Sequence, residues 1–523
     1  MNPSAITQQS LTADARTQTH ARRCAALRRL VELGHLSRGG ASDDDDDDDG
    51  DDETPTARPS RDLAALIDLD ALETGACHLQ HSAGFPSINT LHTFAVKANP
   101  CEGVLRAFAA LGFGAEVASG GELEAALAAG FAPASIVFDS PSKTRAELRR
   151  ALRAGVRVNV DSLAEIERVA AILEGGGGSG GGSSTTASVI GVRVNPQVGA
   201  GSIAALSTST DDSKFGVPIG DEDSSNSSSS GSSERAALAA AFRQHAWLRA
   251  LHLHVGSQGL PLDTVAEGAA RAWAFYRDEL PPGRLVAFDI GGGTPVDFSR
   301  DDGATPPPPP SSAFSELARL LRSRVPELWA EGAPLLITEN GRALVAKAGC
   351  AVARVEYVKH DCCEGDEGEK AGAERRRRRP IAVCHAGADL FMRACYLPAQ
   401  WSMRLFIVDG RSFEPRELQQ QEGDKNEWRL RDVAGPLCFQ GDRLAVARPL
   451  PPIRQGDWVV IPDAGAYCLS MWSHYNSRQS PALWGYRGDK LELLRRGDTL
   501  GDVLAFWRAR GGGGEGGGGG GGG

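Results

Sequence analysis

The chain has 523 residues, 41% of them apolar, which allows two or three domains around a sizeable core. Its formal net charge of −11 excludes a basic nucleic-acid surface, and ten of the acidic residues crowd into Asp43–Asp49, Asp51, Asp52 and Glu53, so the remainder is close to neutral. No apolar run approaches the roughly 18 residues that cross a bilayer, and ten cysteines without paired metal spacing fit reduced thiols in an intracellular compartment, with neither a disulfide framework nor a metal site.

Residues 1 to 60 carry little apolar periodicity, and the first forty hold six arginines against only Asp14 and Glu32. This opening reads as a disordered tail ending in the acidic run, with an organelle transit peptide as the alternative. Low-complexity stretches recur at Gly175–Ser184, Ser224–Ser233, Pro306–Pro310, Cys362–Arg379 and from Gly511 onward, and they read as surface loops and tails. Arg375–Arg379 reads as a solvated stretch beside its own acidic residues rather than an anion site.

Between residues 90 and 342, eight β-rich runs alternate with amphipathic segments: "TFAVKAN", "GAEVAS", "SIVFDSP", "VRVNVDS", "VIGVRVNP", "ALHLHVGS", "VAFDIGGG" and "PLLITENGR". The intervening "GELEAALAAGF", "KTRAELRRALRAG" and "LAEIERVAAILEG" have helical spacing, with Gly130 and Gly155 as C-terminal stops. Nearly continuous apolar strands suit burial on both faces, so residues 61–346 are expected to form a (β/α)8 barrel, with an open doubly wound sheet as the alternative. Beyond residue 346, "AVARVEYV", "PIAVCHA", "RLFIVD", "DWVVIP" and "KLELLRRG" lie between turn-rich loops. They predict a mostly antiparallel β domain over 347–508, with a charged insertion at 361–380 and a glycine tail at 509–523.

Parallel strands all end on one face, so polar residues at their carboxyl ends share one mouth. The first run ends in Lys97, the second in Glu116 and Ser119, the sixth in His254 and Ser257, the seventh in Gly291, Gly292 and Gly293, and the eighth in Glu339 and Arg342. Singly, each has an ordinary reading: an edge lysine, a hydrogen-bonded histidine, a Glu–Arg ion pair. Together they describe a site for pyridoxal 5'-phosphate, in which a lysine amine holds the aldehyde, a histidine lies against the ring, a carboxylate keeps the pyridine nitrogen protonated, and backbone N–H groups with an arginine take the phosphate.

From about residue 70 to 490 the sequence resembles the fold-type III pyridoxal-phosphate decarboxylases, which include the ornithine and diaminopimelate enzymes. The resemblance rests on "FAVKANP", "HLHVGSQ", "DIGGG", "ENGR", "GPLCFQGD" and "DAGAYCLSMWSHYNSR". It implies that Lys97 is the cofactor lysine, that Gly341 joins the cofactor-binding set, and that Tyr467 reaches the phosphate. It also implies that Cys438 reprotonates the substrate carbon in the neighbouring subunit of a homodimer. Without the resemblance, Cys438 reads as a small buried hydrophobe and Tyr467 as a core aromatic. Phe439 stands where relatives carry an acidic residue for the distal end of the substrate. Arg393 and Tyr396 resemble a substrate-binding pair, and Arg393 could grip a distal carboxylate. The expected activity is amino-acid decarboxylation, with meso-diaminopimelate the leading substrate. Ornithine, arginine or lysine and a non-catalytic binding homologue are the alternatives.

Overall fold

The eight β-rich runs become the strands Thr90–Ala95, Gly114–Val117, Ile136–Asp139, Arg157–Val160, Ile190–Asn195, Leu248–Leu253, Ala287–Asp289 and Leu335–Asn340. This computed structural model describes residues 3–38, 58–87, 89–175, 186–220, 230–298, 313–360, 378–417 and 428–508. Every neighbouring pair is parallel, and the eighth strand returns to the first with Glu339 opposite Thr93, so the sheet closes into a barrel and is not an open one. The helices form where expected. Thr144 caps Arg145–Ala154 through a reciprocal bond with Glu147, and Gly155 ends it at a φ of 77°, which a Cβ would disfavour.

Alternation along the strands stacks the barrel interior in layers. Val137, Ala250, Ala287 and Ile337 form an apolar layer. Two residues further along the same four strands stand Asp139, His252, Asp289 and Glu339, all buried. The strand period thus delivers a charged layer immediately before the strand ends. The main core lies between strands and outer helices, where Phe94 stacks on Phe108 with ring centroids 4.0 Å apart.

The second domain is a nine-stranded, mostly antiparallel sheet, but its composition corrects the expected boundaries. Leu63–Asp68, placed by sequence in the barrel region, runs through the middle of this sheet, antiparallel to Gly349–Lys359 and parallel to Ala482–Arg487. Six consecutive buried residues suit any central strand, and nothing local states which sheet it joins. The expected disordered tail differs too. Pro3–Glu32 is a helix, and Leu27 and Leu30 pack against Val352, Trp458 and Tyr486, while Arg22 pairs with Asp68 at 2.7 Å and Asp70 at 2.8 Å. The spacing of Cys24, Leu27, Leu30 and Val31 is helical and carried that signal, obscured by the surrounding arginines.

The acidic run, Gly176–Ser184, Pro306–Pro310, most of Cys362–Arg379 and the glycine tail lie outside the described residues. At the edges of such stretches, Ser230 begins the helix Ser230–Gln244, and Arg379 pairs with the buried Asp432. Among the described residues no helix is long and apolar enough to cross a membrane.

Candidate active site

The first strand ends at Ala95, and a single turn, Val96–Ala98, carries Lys97 at the mouth. Its Nζ lies 2.6 Å from Glu116 Oε1, and 40% of the lysine side chain remains accessible although protein surrounds it. Burial alone pulls the ammonium down, but Glu116, Tyr467 and Glu339 outweigh it and raise the lysine overall, while burial raises Glu116 against the pull of Lys97. The second domain clamps this turn. Tyr467 N–H donates to Ala98 O at 2.9 Å, Ser470 Oγ donates to the same oxygen at 3.3 Å, and Asn99 Nδ2 donates to Gly465 O at 3.0 Å. Tyr467 pays for its position with a φ of 56°, an unusual conformation for a bulky residue.

Across the mouth, Gly291–Gly293 form a tight loop that only glycine fits. A Cβ on Gly292 would stand 1.9 Å from Glu339 O, and one on Gly293 2.0 Å from Gly256 O. Gly292 N–H donates to His254 Nδ1 at 3.0 Å, fixing that nitrogen as an acceptor. Burial, then Arg193, Lys97 and His252, hold His254 well below its ordinary range, so the ring is neutral and suited to lie against another ring. Gly341 approaches the lysine turn closely, since a Cβ there would meet Ala98 Cβ at 2.8 Å. Ser257 sits on the neighbouring loop, its N–H bonded to Leu206 O at 3.0 Å.

Arg342 and Arg393 both lie over the Tyr467 ring, at 4.5 and 5.0 Å, and both also face Trp401. Arg342 Nε and Arg393 Nη1 are buried without a hydrogen-bond partner. Burial, with Arg393 adding to it, pushes Arg342 down to about 10 although Tyr467 opposes this. Two guanidiniums over one tyrosine ring, each with a buried N–H left over, make a receptor for an anion.

Sequence reasoning missed the charged layer. Arg193 Nη1 pairs with Asp139 at 2.9 Å, and His252 lies 3.3 Å from Asp139 and 3.2 Å from Asp289. Asp289 also accepts from Gly291 N–H at 3.0 Å, tying the layer to the glycine loop. Buried Glu339 has Oε1 without a hydrogen-bond partner, and burial followed by the Asp289 charge raises it well above the usual carboxylate range, opposed by His252. The available signal was a polar residue two places after each apolar-layer residue.

Other expected members lie apart. Ser119 is spent on capping the helix Gly120–Ala128, accepting from Glu122 N–H at 3.2 Å. Tyr396 and Phe439 stack on each other at 5.0 Å beside the exposed Cys438, whose N–H donates to Asn476 Oδ1 at 3.0 Å. Arg393 and Tyr396 share the helix Met392–Tyr396, yet Arg393 meets Tyr467 while Tyr396 is 58% exposed, so they do not form one pair. A cleft of about 580 Å³ between Pro100–Glu102 and Leu493–Arg496 is lined by none of the expected site residues, although Ser470, which clamps the lysine turn, borders it.

The mouth therefore offers a charged amine, a flat neutral ring, a buried carboxylate and a paired guanidinium site, a set that fits a phosphorylated aromatic aldehyde. The family profile described as pyridoxal-dependent decarboxylase, pyridoxal binding domain, matches residues 76–346. A diaminopimelate decarboxylase of Pseudomonas aeruginosa is 32% identical over 428 residues, covering 81% of this chain and 87% of that protein. One from Archaeoglobus fulgidus is 29% identical over 415 residues, covering 79% and 85%. The crystal structure of the Helicobacter pylori diaminopimelate decarboxylase complexed with L-lysine shares the fold, with a TM-score of 0.65, 24% identity and coverage of 85% of this chain and 96% of that one. The strand-end lysine, the glycine loop and the extent of these matches make the chain a member of the pyridoxal-dependent decarboxylase family.

Proposed function

We propose that the enzyme binds pyridoxal 5'-phosphate and removes a carboxyl group from meso-diaminopimelate, yielding lysine. The observation that supports this most is the convergence of Lys97, the Gly291–Gly293 loop and the unpartnered Glu339 Oε1 on one mouth. Lys97 would hold the aldehyde, Glu339 would hold a proton on the ring nitrogen, and His254 would lie against the ring. The phosphate would lie against the glycine loop, whose Gly291 and Gly292 N–H groups are given to Asp289 and His254, and would be held by Arg342 and Tyr467. When bound, pyridoxal phosphate supplies an electron sink for the pair released as carbon dioxide leaves.

Glu116, 2.6 Å from Lys97, orients the amine and would take up the proton the lysine must lose to hold the aldehyde. Cys438 is exposed, which supports a homodimer in which it donates the proton to carbon in the partner's mouth. The substrate assignment draws on the diaminopimelate decarboxylase relatives, and Arg393, facing the mouth through Tyr467, is a candidate for the distal carboxylate or for the phosphate. The Phe439–Tyr396 stack beside Cys438 offers no carboxylate to a distal ammonium, which favours a substrate with an acidic end over a simple diamine precursor.

The test is carbon dioxide release from meso-diaminopimelate, ornithine, lysine and arginine, with borohydride fixation of the cofactor followed by peptide mapping. Release from meso-diaminopimelate and a label on Lys97 are expected. Preference for any of the others would overturn the substrate assignment, and full activity in Lys97→Ala would overturn the site.

A further inference from the structure

Two residues before His254, His252 is wholly buried in the barrel, and the chemistry above gives it no task. Its ring is flanked by carboxylates: Nε2 lies 3.3 Å from Asp139 Oδ2, and Nδ1 lies 3.2 Å from Asp289 Oδ2 and 3.8 Å from Glu339 Oε1. A neutral imidazole carries one N–H and would turn a lone pair towards one of these anions, whereas the imidazolium offers a proton on each side. Buried carboxylates at such spacing need compensating cations. Arg193 serves Asp139, and Lys97 serves Glu116. Among the described residues, His252 is the one cation within ion-pair range of Glu339. Asp289 is itself fixed by Gly291 N–H at 3.0 Å and Asn159 Nδ2 at 3.3 Å, so the ring is held against a rigid support.

We propose that His252, held as an imidazolium between Asp139 and Asp289, is a positioning residue that keeps Glu339 ionised and thereby keeps a proton on the ring nitrogen of bound pyridoxal phosphate. This rests on the reading that Glu339 meets that nitrogen. Burial lowers His252, but Asp139, Asp289 and Glu339 together raise it well above its ordinary value. Its pull on Glu339 opposes burial and Asp289, which by themselves hold that carboxyl well above the usual range, and the protonated ring nitrogen would add the second cation that completes its ionisation. Without the imidazolium, Glu339 would stay protonated and could no longer accept a charge-assisted hydrogen bond from a protonated ring nitrogen. The competing use of the same groups is a divalent cation, since donor atoms of Asp139, His252 and Glu339 lie within 4.8 Å of one another.

The experiment reconstitutes wild type, His252→Gln, His252→Lys and Glu339→Gln with pyridoxal phosphate isotopically labelled at the ring nitrogen and reads its protonation by NMR, alongside steady-state kinetics and metal analysis. Wild type and His252→Lys are expected to show a protonated ring, and His252→Gln and Glu339→Gln an unprotonated one. His252→Gln should lose about a hundredfold in kcat with little change in KM. A protonated ring in His252→Gln, with Glu339→Gln unprotonated, would overturn the role of His252 and leave that of Glu339 standing. An unprotonated ring in wild type would overturn both. A stoichiometric divalent metal that is lost in His252→Gln would overturn the proposal in favour of a metal site. If the glutamine variant does not fold, His252→Asn takes its place with the same expected and overturning results.

Discussion

Gly292→Ala tests the glycine loop where it is least forgiving. The added methyl would stand 1.9 Å from the Glu339 carbonyl oxygen and 2.9 Å from its carbon, and both are backbone atoms that no rotamer change can move. Ordinary contact begins at 3.4 Å, so loop and eighth strand must part by the difference of 1.5 Å. That shift breaks the Gly292–His254 bond of 3.0 Å and the bond of 2.8 Å from Glu339 N–H to Gly291 O. Overpacking of this kind costs about 1–3 kcal/mol and each of the two lost hydrogen bonds about 1 kcal/mol, so a total of about 3–5 kcal/mol is expected. Urea unfolding of the apoprotein measures the stability share, and fluorescence titration with pyridoxal phosphate measures the rest, where about tenfold weaker binding corresponds to 1.4 kcal/mol. Gly75→Ala is the control. It lies within the helix Leu69–His81 with nothing inside 4 Å of the new methyl, and is expected to stabilise by up to about 1 kcal/mol. An unchanged urea midpoint together with unchanged cofactor affinity in Gly292→Ala would refute the reasoning.

Two further outcomes are expected. If Cys438 serves the partner's mouth, inactive Lys97→Ala and Cys438→Ala proteins should regain about a quarter of wild-type activity when mixed, because half the dimers are then mixed and each carries one intact site; no recovery despite proven subunit exchange would place the thiol in its own chain's site. His92, buried with its Nδ1 2.8 Å from Thr338 Oγ1, is lowered by burial, with His81 adding, from 6.5 to about 4. The unfolded chain therefore binds this proton first, so stability falls as pH drops from 6.5 towards 4, by about 3 kcal/mol for this group. His92→Gln should flatten that part of the stability profile measured by urea unfolding, and an unaltered profile would count against it.

Where local chemistry sets the outcome, the sequence was readable. Thr144, Glu147 and Gly155 announce both ends of their helix, and the run at Phe94–Val96 followed by Asn99-Pro100 places Lys97 at a strand end. Glycines 291 to 293 stood out by number, although the reason each must be glycine is the backbone of other segments, Leu253, Glu339 and Gly256 in turn, which no local pattern shows. Arg393 and Tyr396 illustrate the opposite failure: neighbours on one short helix diverge, one into the mouth and one to the surface beside Phe439. The helix carrying Leu27 and Leu30 was legible in its spacing, but the sheet that buries those residues joins Leu63–Asp68 to strands that lie more than 300 residues away, such as those carrying Val352 and Trp458.

The sequence by itself determined that strands and helices alternate eight times and that lysine, histidine, glycines, glutamate and arginine occupy strand ends, because both follow from periodicity and turn chemistry within a few residues. Only the tertiary structure decided which sheet Leu63–Asp68 joins and which cation answers Glu339. The physical reason is the same in both cases. A buried strand or a buried charge is compatible with many partners until closure of the barrel and the second sheet removes water and leaves one within reach.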